Sequence, residues 1–248
     1  MKIAKIALVT GGSKGIGLSV VKRFVANKYT VVTCGRSRST WDDAVSQYPY
    51  LNDVDFVECD ISSSKSVDGL FEYITKRYGR IDMAINNASP QIASVGEFIN
   101  CDPDALLDTL NSDFLGPALC IQQEMKLMSS GGCIVNVTSV NGIRPTPNAA
   151  MYGASKQGIE SLTRSLALEA IPQGIRINSV APGVTWTERW EQRACDNPEL
   201  RSEIEALVPS QRFAEPDEVA GAIEWLCSPA ADYVVGHTLV IDGGLSLK

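Results

Sequence analysis

The sequence predicts an α/β domain built on a doubly wound parallel sheet, and two observations carry that prediction. Short β-branched apolar runs alternate with amphipathic segments from one end of the chain to the other. The runs are continuously apolar, as strands buried on both faces are, whereas half-exposed strands alternate. Repeated βαβ units of this kind close into one sheet with helices on both sides. At 248 residues, with no repeat, linker or low-complexity block in the sequence, the chain fits a single domain spanning 1–248.

Strands are expected at 3–10, 30–35, 54–60, 81–86, 133–139, 176–181 and 237–241, and helices at 15–28, 63–78, 102–128, 149–171 and 215–228. The apolar run at 3–9 leads straight into a glycine turn, so it reads as a strand and not as a signal segment. One stretch breaks the rhythm. Residues 182–212 carry Trp186, Trp190, three prolines and several charges, and they follow a strand's carboxyl end. Ligands bind at that edge of open α/β sheets, which makes about 184–212 a candidate substrate lid, with an extra helix pair covering the sheet edge as the alternative.

Composition narrows the partners. A net charge of −7 without a basic cluster argues against nucleic acid and against an anionic membrane surface. No stretch approaches membrane-spanning length. Seven cysteines, scattered and without a CxxC pair, read as reduced thiols of a cytoplasmic protein. The single histidine, His237, has no paired cysteines to share a metal with, so no metal site is expected.

The chemistry-bearing residues fall into two groups. Gly11, Gly15 and Gly17, in the turn Thr10-Gly11-Gly12-Ser13-Lys14-Gly15-Ile16-Gly17, follow the first strand and open a helix. Glycines there let the backbone approach a dinucleotide pyrophosphate, which the helix amino terminus stabilises. The second strand ends Cys34-Gly35-Arg36-Ser37-Arg38, with no carboxylate before Asp42 to take ribose hydroxyls. Arg36 can hold a 2′-phosphate through two parallel hydrogen bonds, with Lys14 nearby, and this favours NADP(H); the alternative is a solvated surface arginine. The second group is Tyr152 and Lys156, four apart and so on one helix face. At ~5 Å and an effective dielectric of ~20, a cation favours a phenolate by roughly 3 kcal/mol, which brings proton transfer by the phenol towards neutral pH.

These features together resemble the single-domain branch of the short-chain dehydrogenase/reductase family, along essentially the whole chain. The resemblance rests on the TGxxxGxG turn, Asp60, Asn86-Asn87-Ala88, Asn111, Ser139, the Tyr152/Lys156 pair, Pro182-Gly183 and Asp242-Gly243-Gly244. Ser139 stands at the family's interval, thirteen residues before the tyrosine. The resemblance implies a Rossmann-type sheet of seven strands in the order 3-2-1-4-5-6-7, and a catalytic set of Asn111, Ser139, Tyr152 and Lys156. Tyr152 would be the general acid or base and Lys156 would lower its pKa and hold the nicotinamide ribose. Ser139 would bind the substrate carbonyl, and Asn111 would hold a water that links Lys156 to solvent. Cofactor contacts would come from Gly11, Ser13, Lys14, Gly15, Ile16, Gly17, Arg36, Ser37, Asp60, Ile61, Asn87, Ala88, Tyr152, Lys156, Gly183, Thr185 and Thr187.

The implied activity is NADP(H)-dependent interconversion of a ketone or aldehyde and an alcohol, in a homotetramer or homodimer. An NAD-dependent alcohol dehydrogenase of the same fold and an idle NADPH-binding scaffold are the alternatives. One motif departs from the family: Ser89-Pro90 follows Ala88, and the proline restricts Ser89 to extended conformations in a loop that enters the substrate cleft.

Overall fold

The computed structural model describes residues 4–128 and 131–248; Ile3, the first residue of the expected first strand, lies outside them. The strands are β1 (Ile6–Thr10), β2 (Thr30–Gly35), β3 (Asp55–Glu58), β4 (Met83–Asn86), β5 (Gly132–Val137), β6 (Ile175–Pro182) and β7 (Thr238–Ile241). They form one sheet in the order β3-β2-β1-β4-β5-β6-β7, parallel at every pairing. The order and direction match the expectation, and the strand limits shift by no more than a few residues.

Successive strand residues point to opposite faces, so each central strand feeds two cores. Ala7 and Val9 of β1 join one core with α1 (Gly15–Ala26), α2 (Arg38–Gln47) and α9 (Pro216–Leu226), through Val20, Phe24, Trp41 and Ile223. Leu8 joins the other with α3 (Ser64–Tyr78), α5 (Gly116–Leu127) and α6 (Ala150–Ala170), through Leu70, Ile74, Ile121 and Ala167. This two-sided burial is why the strand sequences lack alternation. Ile121 and Met128 are fully enclosed in the second core, with Leu119, Met125 and Leu127 packed against it, so this apolar stretch serves the sheet.

Two elements differ from the expectation. Helix α2 was not anticipated, because Arg38-Ser39-Thr40-Trp41-Asp42-Asp43 is almost wholly polar; only Trp41 and Ala44 are buried, and Ser37 caps the start by accepting from Thr40 N–H. The helix expected over 102–128 is interrupted. It comprises α4 (Pro103–Leu110), a π-helical turn (Asn111–Leu115) and α5. The cause is in the sequence: Pro117 has no N–H to bond the carbonyl four residues back, that of Asp113. The Gly116 N–H bonds Asn111 O instead, which widens the turn. Gly116 is needed there, since a Cβ would lie 2.6 Å from Ile61 O.

Between β6 and α9 the chain forms α7 (Glu188–Asp196) and α8 (Leu200–Leu207). Trp186 and Trp190 pack edge-on against Phe213, with ring centroids 5.0 and 5.2 Å away, and Arg201 and Arg193 lie over their faces. The two tryptophans therefore build a small core for this segment.

Candidate active site

Because the strands are parallel, their carboxyl ends gather the glycine turn, Arg36, Asp60, Asn87, Ser139 and Gly183 on one edge of the sheet. The glycine turn is held by close approach. Gly11 has φ +70°, and its Cβ position lies 2.8 Å from Ala88 Cα; a Cβ on Gly17 would overlap Gly11 O. Asn87 Nδ2 donates to the carbonyls of Thr10 and Gly11 at 3.1 Å each, and the N–H groups of Asn87 and Ala88 both donate to Thr10 Oγ1. These bonds lock the end of β4 to the turn. Ile16 packs on the core, Lys14 is exposed, and Ser13 Oγ is buried with no partner among the described residues.

At the end of β2 Arg36 is exposed, and among the described residues it makes no ion pair. Its neighbour Ser37 is engaged in the α2 cap, while Arg38 turns back onto the Phe56 ring and the Phe56 carbonyl. Asp60 accepts from the N–H and hydroxyl of Ser62, and Ile61 is buried beside it. Gly183 passes so close to Asp242 that a Cβ would lie 2.8 Å from its Cα. The Thr185 hydroxyl points back to Gly183 O at 3.4 Å, and Thr187 stands at the N-cap position of α7 without a side-chain capping bond, its methyl against Gly15. The next residue, Glu188, brings its carboxylate to the amino terminus of α1, where Gly15 N–H donates to Oε1 at 3.4 Å. An anion is thus already seated where the helix dipole and the free N–H groups favour one.

Tyr152 and Lys156 share the buried face of α6, at 8% and 3% exposure, with Lys156 Nζ 5.4 Å from the Tyr152 ring centre. The turn that begins at Ser139 is pressed against the same part of α6: a Cβ on Gly142 would lie 2.8 Å from Gln157 N, and one on Gly153 would lie 2.8 Å from Asn141 O. Ser139 Oγ accepts from Asn141 N–H at 3.1 Å, which leaves its own hydrogen free to donate.

The Nζ of Lys156 lies 3.1 Å from Asp113 Oδ1, and both side chains are almost completely buried. Asn111 opens the π-helical turn, and among the described residues its side chain makes no hydrogen bond. Burial by itself would push the Lys156 ammonium down, but the charges of Asp113 and Tyr152 overcome it and raise it above the ordinary lysine value. Removing one partner of so buried a pair typically costs ~3–5 kcal/mol. Asp113 Oδ1 also accepts the Ser89 hydroxyl at 2.6 Å, and Arg189 of α7 donates to the carbonyls of Ser89 and Pro90 at 3.1 and 2.7 Å. Asp113 escaped sequence reasoning because it belongs to no motif. The signal that points to it is a carboxylate inside an apolar helical run just before Pro117.

Arg144 donates to Leu245 O at 2.9 Å, and the exposed His237 bonds Asn178 Oδ1 through its backbone N–H and not through its ring.

A glycine turn, an exposed arginine at the end of β2 and a buried tyrosine–lysine pair on one sheet edge point to a nucleotide-dependent oxidoreductase class, and comparison with known proteins makes the assignment specific. The family model described as enoyl-(acyl carrier protein) reductase matches residues 11–246. The 3beta-hydroxysteroid dehydrogenase 1 of Eggerthella lenta is 35% identical, over 98% of this chain and 94% of that protein. An A-factor type gamma-butyrolactone 1'-reductase (1S-forming) of Streptomyces virginiae is 33% identical, over 98% and 96% of the two chains. The solved structure of ElxO with NADP bound superposes with a TM-score of 0.93 at 30% identity, covering 99% of this chain and 100% of that one. The chain belongs to the short-chain dehydrogenase/reductase family of oxidoreductases.

Proposed function

We propose that the protein is an NADP(H)-dependent oxidoreductase that interconverts a ketone or aldehyde and an alcohol. The observation that carries this reading is the buried Tyr152–Lys156 pair, on the same sheet edge as the glycine turn. The site fits the cofactor. The turn is close-packed where a pyrophosphate must approach, the α1 amino terminus already holds a carboxylate, and Arg36 stands exposed at the strand end where no carboxylate competes. ElxO, solved with NADP bound, supports the same choice.

In this reading Gly11, Ser13, Gly15, Ile16 and Gly17 hold the pyrophosphate, and Arg36, Ser37 and Lys14 hold the 2′-phosphate. Asp60, Ile61, Asn87 and Ala88 flank the adenosine, and Gly183, Thr185 and Thr187 flank the nicotinamide. The cofactor supplies or accepts the hydride. Ser139 donates its free hydroxyl hydrogen to the substrate carbonyl, favouring the charge that develops on the oxygen. Tyr152 gives the proton to that oxygen in reduction and takes it back in oxidation, while Lys156 holds the phenol's charge and the ribose. The segment 184–212 acts as the lid, pinned through Glu188 to α1 and through Arg189 to the loop after β4.

The exposed Leu107, Leu115 and Leu168, on α4, the π turn and α6, support assembly with a second copy. The seven free cysteines support a reducing, cytoplasmic setting. Among the described residues no helix is long and apolar enough to cross a membrane. The test is NADPH oxidation against a panel of ketones and aldehydes, repeated with Tyr152→Phe. Loss of ~10²–10⁴-fold in turnover with an unchanged circular-dichroism spectrum is expected. Full turnover in the variant contradicts the proposed role of Tyr152.

A further inference from the structure

We propose that Asp113 is a positioning residue of this site, whose buried carboxylate anchors the Lys156 ammonium and biases Tyr152 towards its protonated, proton-donating form. The inference rests on the reading of Tyr152 as the acid/base group, and it starts from geometry. Asp113 is fully enclosed, lies 3.1 Å from Lys156 Nζ, and accepts the Ser89 hydroxyl at 2.6 Å on the same oxygen. Among the described residues its other oxygen has only Ser112 Oγ at 3.4 Å, and that hydroxyl is already committed to Asp108 O.

The charged and titratable groups that act on the Lys156 ammonium are Asp113, Tyr152 from α6 and, through its charge, Arg189 from α7; the loop after β4 contributes the Ser89 hydroxyl to Asp113. A lone ammonium beside a phenol favours the phenolate. An ammonium already paired with a carboxylate presents a much weaker field, and in a low-dielectric site that field is what sets the proton balance. The π-helical turn created by Pro117 carries Asp113 within reach of Lys156. Ser89, restricted by Pro90, ties the same carboxylate to the loop after β4. The phenol is thereby poised to donate, which is what carbonyl reduction requires of it.

The experiment is an ultraviolet titration of tyrosinate absorbance that needs no substrate. The difference between the wild type and Tyr152→Phe isolates Tyr152 from the other six tyrosines. The same difference is then taken between Asp113→Asn and the Asp113→Asn/Tyr152→Phe double variant. The Tyr152 midpoint is expected to fall by about one pH unit in the Asp113→Asn background, a tenfold change in the proton equilibrium. An unchanged or raised midpoint overturns the proposal, whether because the field does not reach the phenol or because Lys156 loses its proton together with the carboxylate. If Asp113→Asn does not fold, Asp113→Glu keeps the charge and is expected to hold the midpoint near the wild-type pH; a fall of about one unit there also overturns it. Turnover of Tyr152→Phe tests the underlying reading separately. An inactive Tyr152→Phe with an unmoved Asp113→Asn midpoint leaves that reading standing and removes this inference alone.

Discussion

Glu124 is wholly enclosed between α5 and the sheet; burial pushes its carboxyl up to about 8, against the opposing hydrogen bond that Asn86 Nδ2 donates to Oε2 at 2.9 Å. Its Oε1 has no partner among the described residues. An acid whose folded value lies above its unfolded one contributes stability that is complete below the unfolded value, about 4.5, and that is lost as pH rises through about 8. Urea unfolding at a series of pH values is therefore expected to show stability falling across that window by on the order of several kcal/mol. Glu124→Gln should flatten the slope, and parallel curves for the two proteins contradict the assignment. Arg36 carries a second residue-scale prediction. Arg36→Asp removes charge-assisted bonds worth ~1.5–3 kcal/mol and supplies an acceptor for ribose hydroxyls. NADPH binding should weaken by about 10–100-fold and NADH binding should strengthen, as read by titration of each.

The glycine turn with α1 and the start of α7 form one working pair of elements. Glu188 occupies the α1 amino terminus through Gly15 N–H, and an arriving pyrophosphate needs the same donors. Glu188→Gln withdraws a competing anion whose interaction with a helix end is worth ~0.3–1 kcal/mol. NADPH binding is expected to tighten about two- to fivefold, with the NADH affinity following in the same direction; an unchanged affinity for both places the carboxylate off the phosphate path. At this scale the sequence was legible where burial was two-sided. The strands of both cores and the long face of α6 announce themselves because continuous apolar runs and four-residue spacing leave few other arrangements. Helix α2 was not legible, since two buried side chains, Trp41 and Ala44, leave hardly any periodicity to detect. The break between α4 and α5 was hidden for the opposite reason. A π-helical turn preserves the apolar face on both sides of it, and only Pro117, a residue that cannot donate to the turn before it, betrays the interruption.

At the scale of the molecule, parallel strands bring the glycine turn, Arg36, Asp60, Asn87, Ser139 and Gly183 to one edge, and an intact motif register makes such an arrangement readable without coordinates. What that register omits is the environment of each group. Lys156 was legible as the partner of Tyr152, yet its own partner, Asp113, is set by how α4, the π turn and α6 pack, and the one local sign of it is a carboxylate in an apolar run before Pro117. Trp186 and Trp190 likewise turn towards Phe213 because the segment 184–212 needs a core of its own. The central claim is the cofactor site at Gly11–Gly17 and Arg36, and the most direct test is a fluorescence titration of the purified protein with NADPH and with NADH at one fixed salt concentration. The account predicts markedly tighter binding of NADPH. Equal or tighter binding of NADH contradicts the phosphate site at Arg36 and Lys14, and binding of neither contradicts the oxidoreductase reading itself.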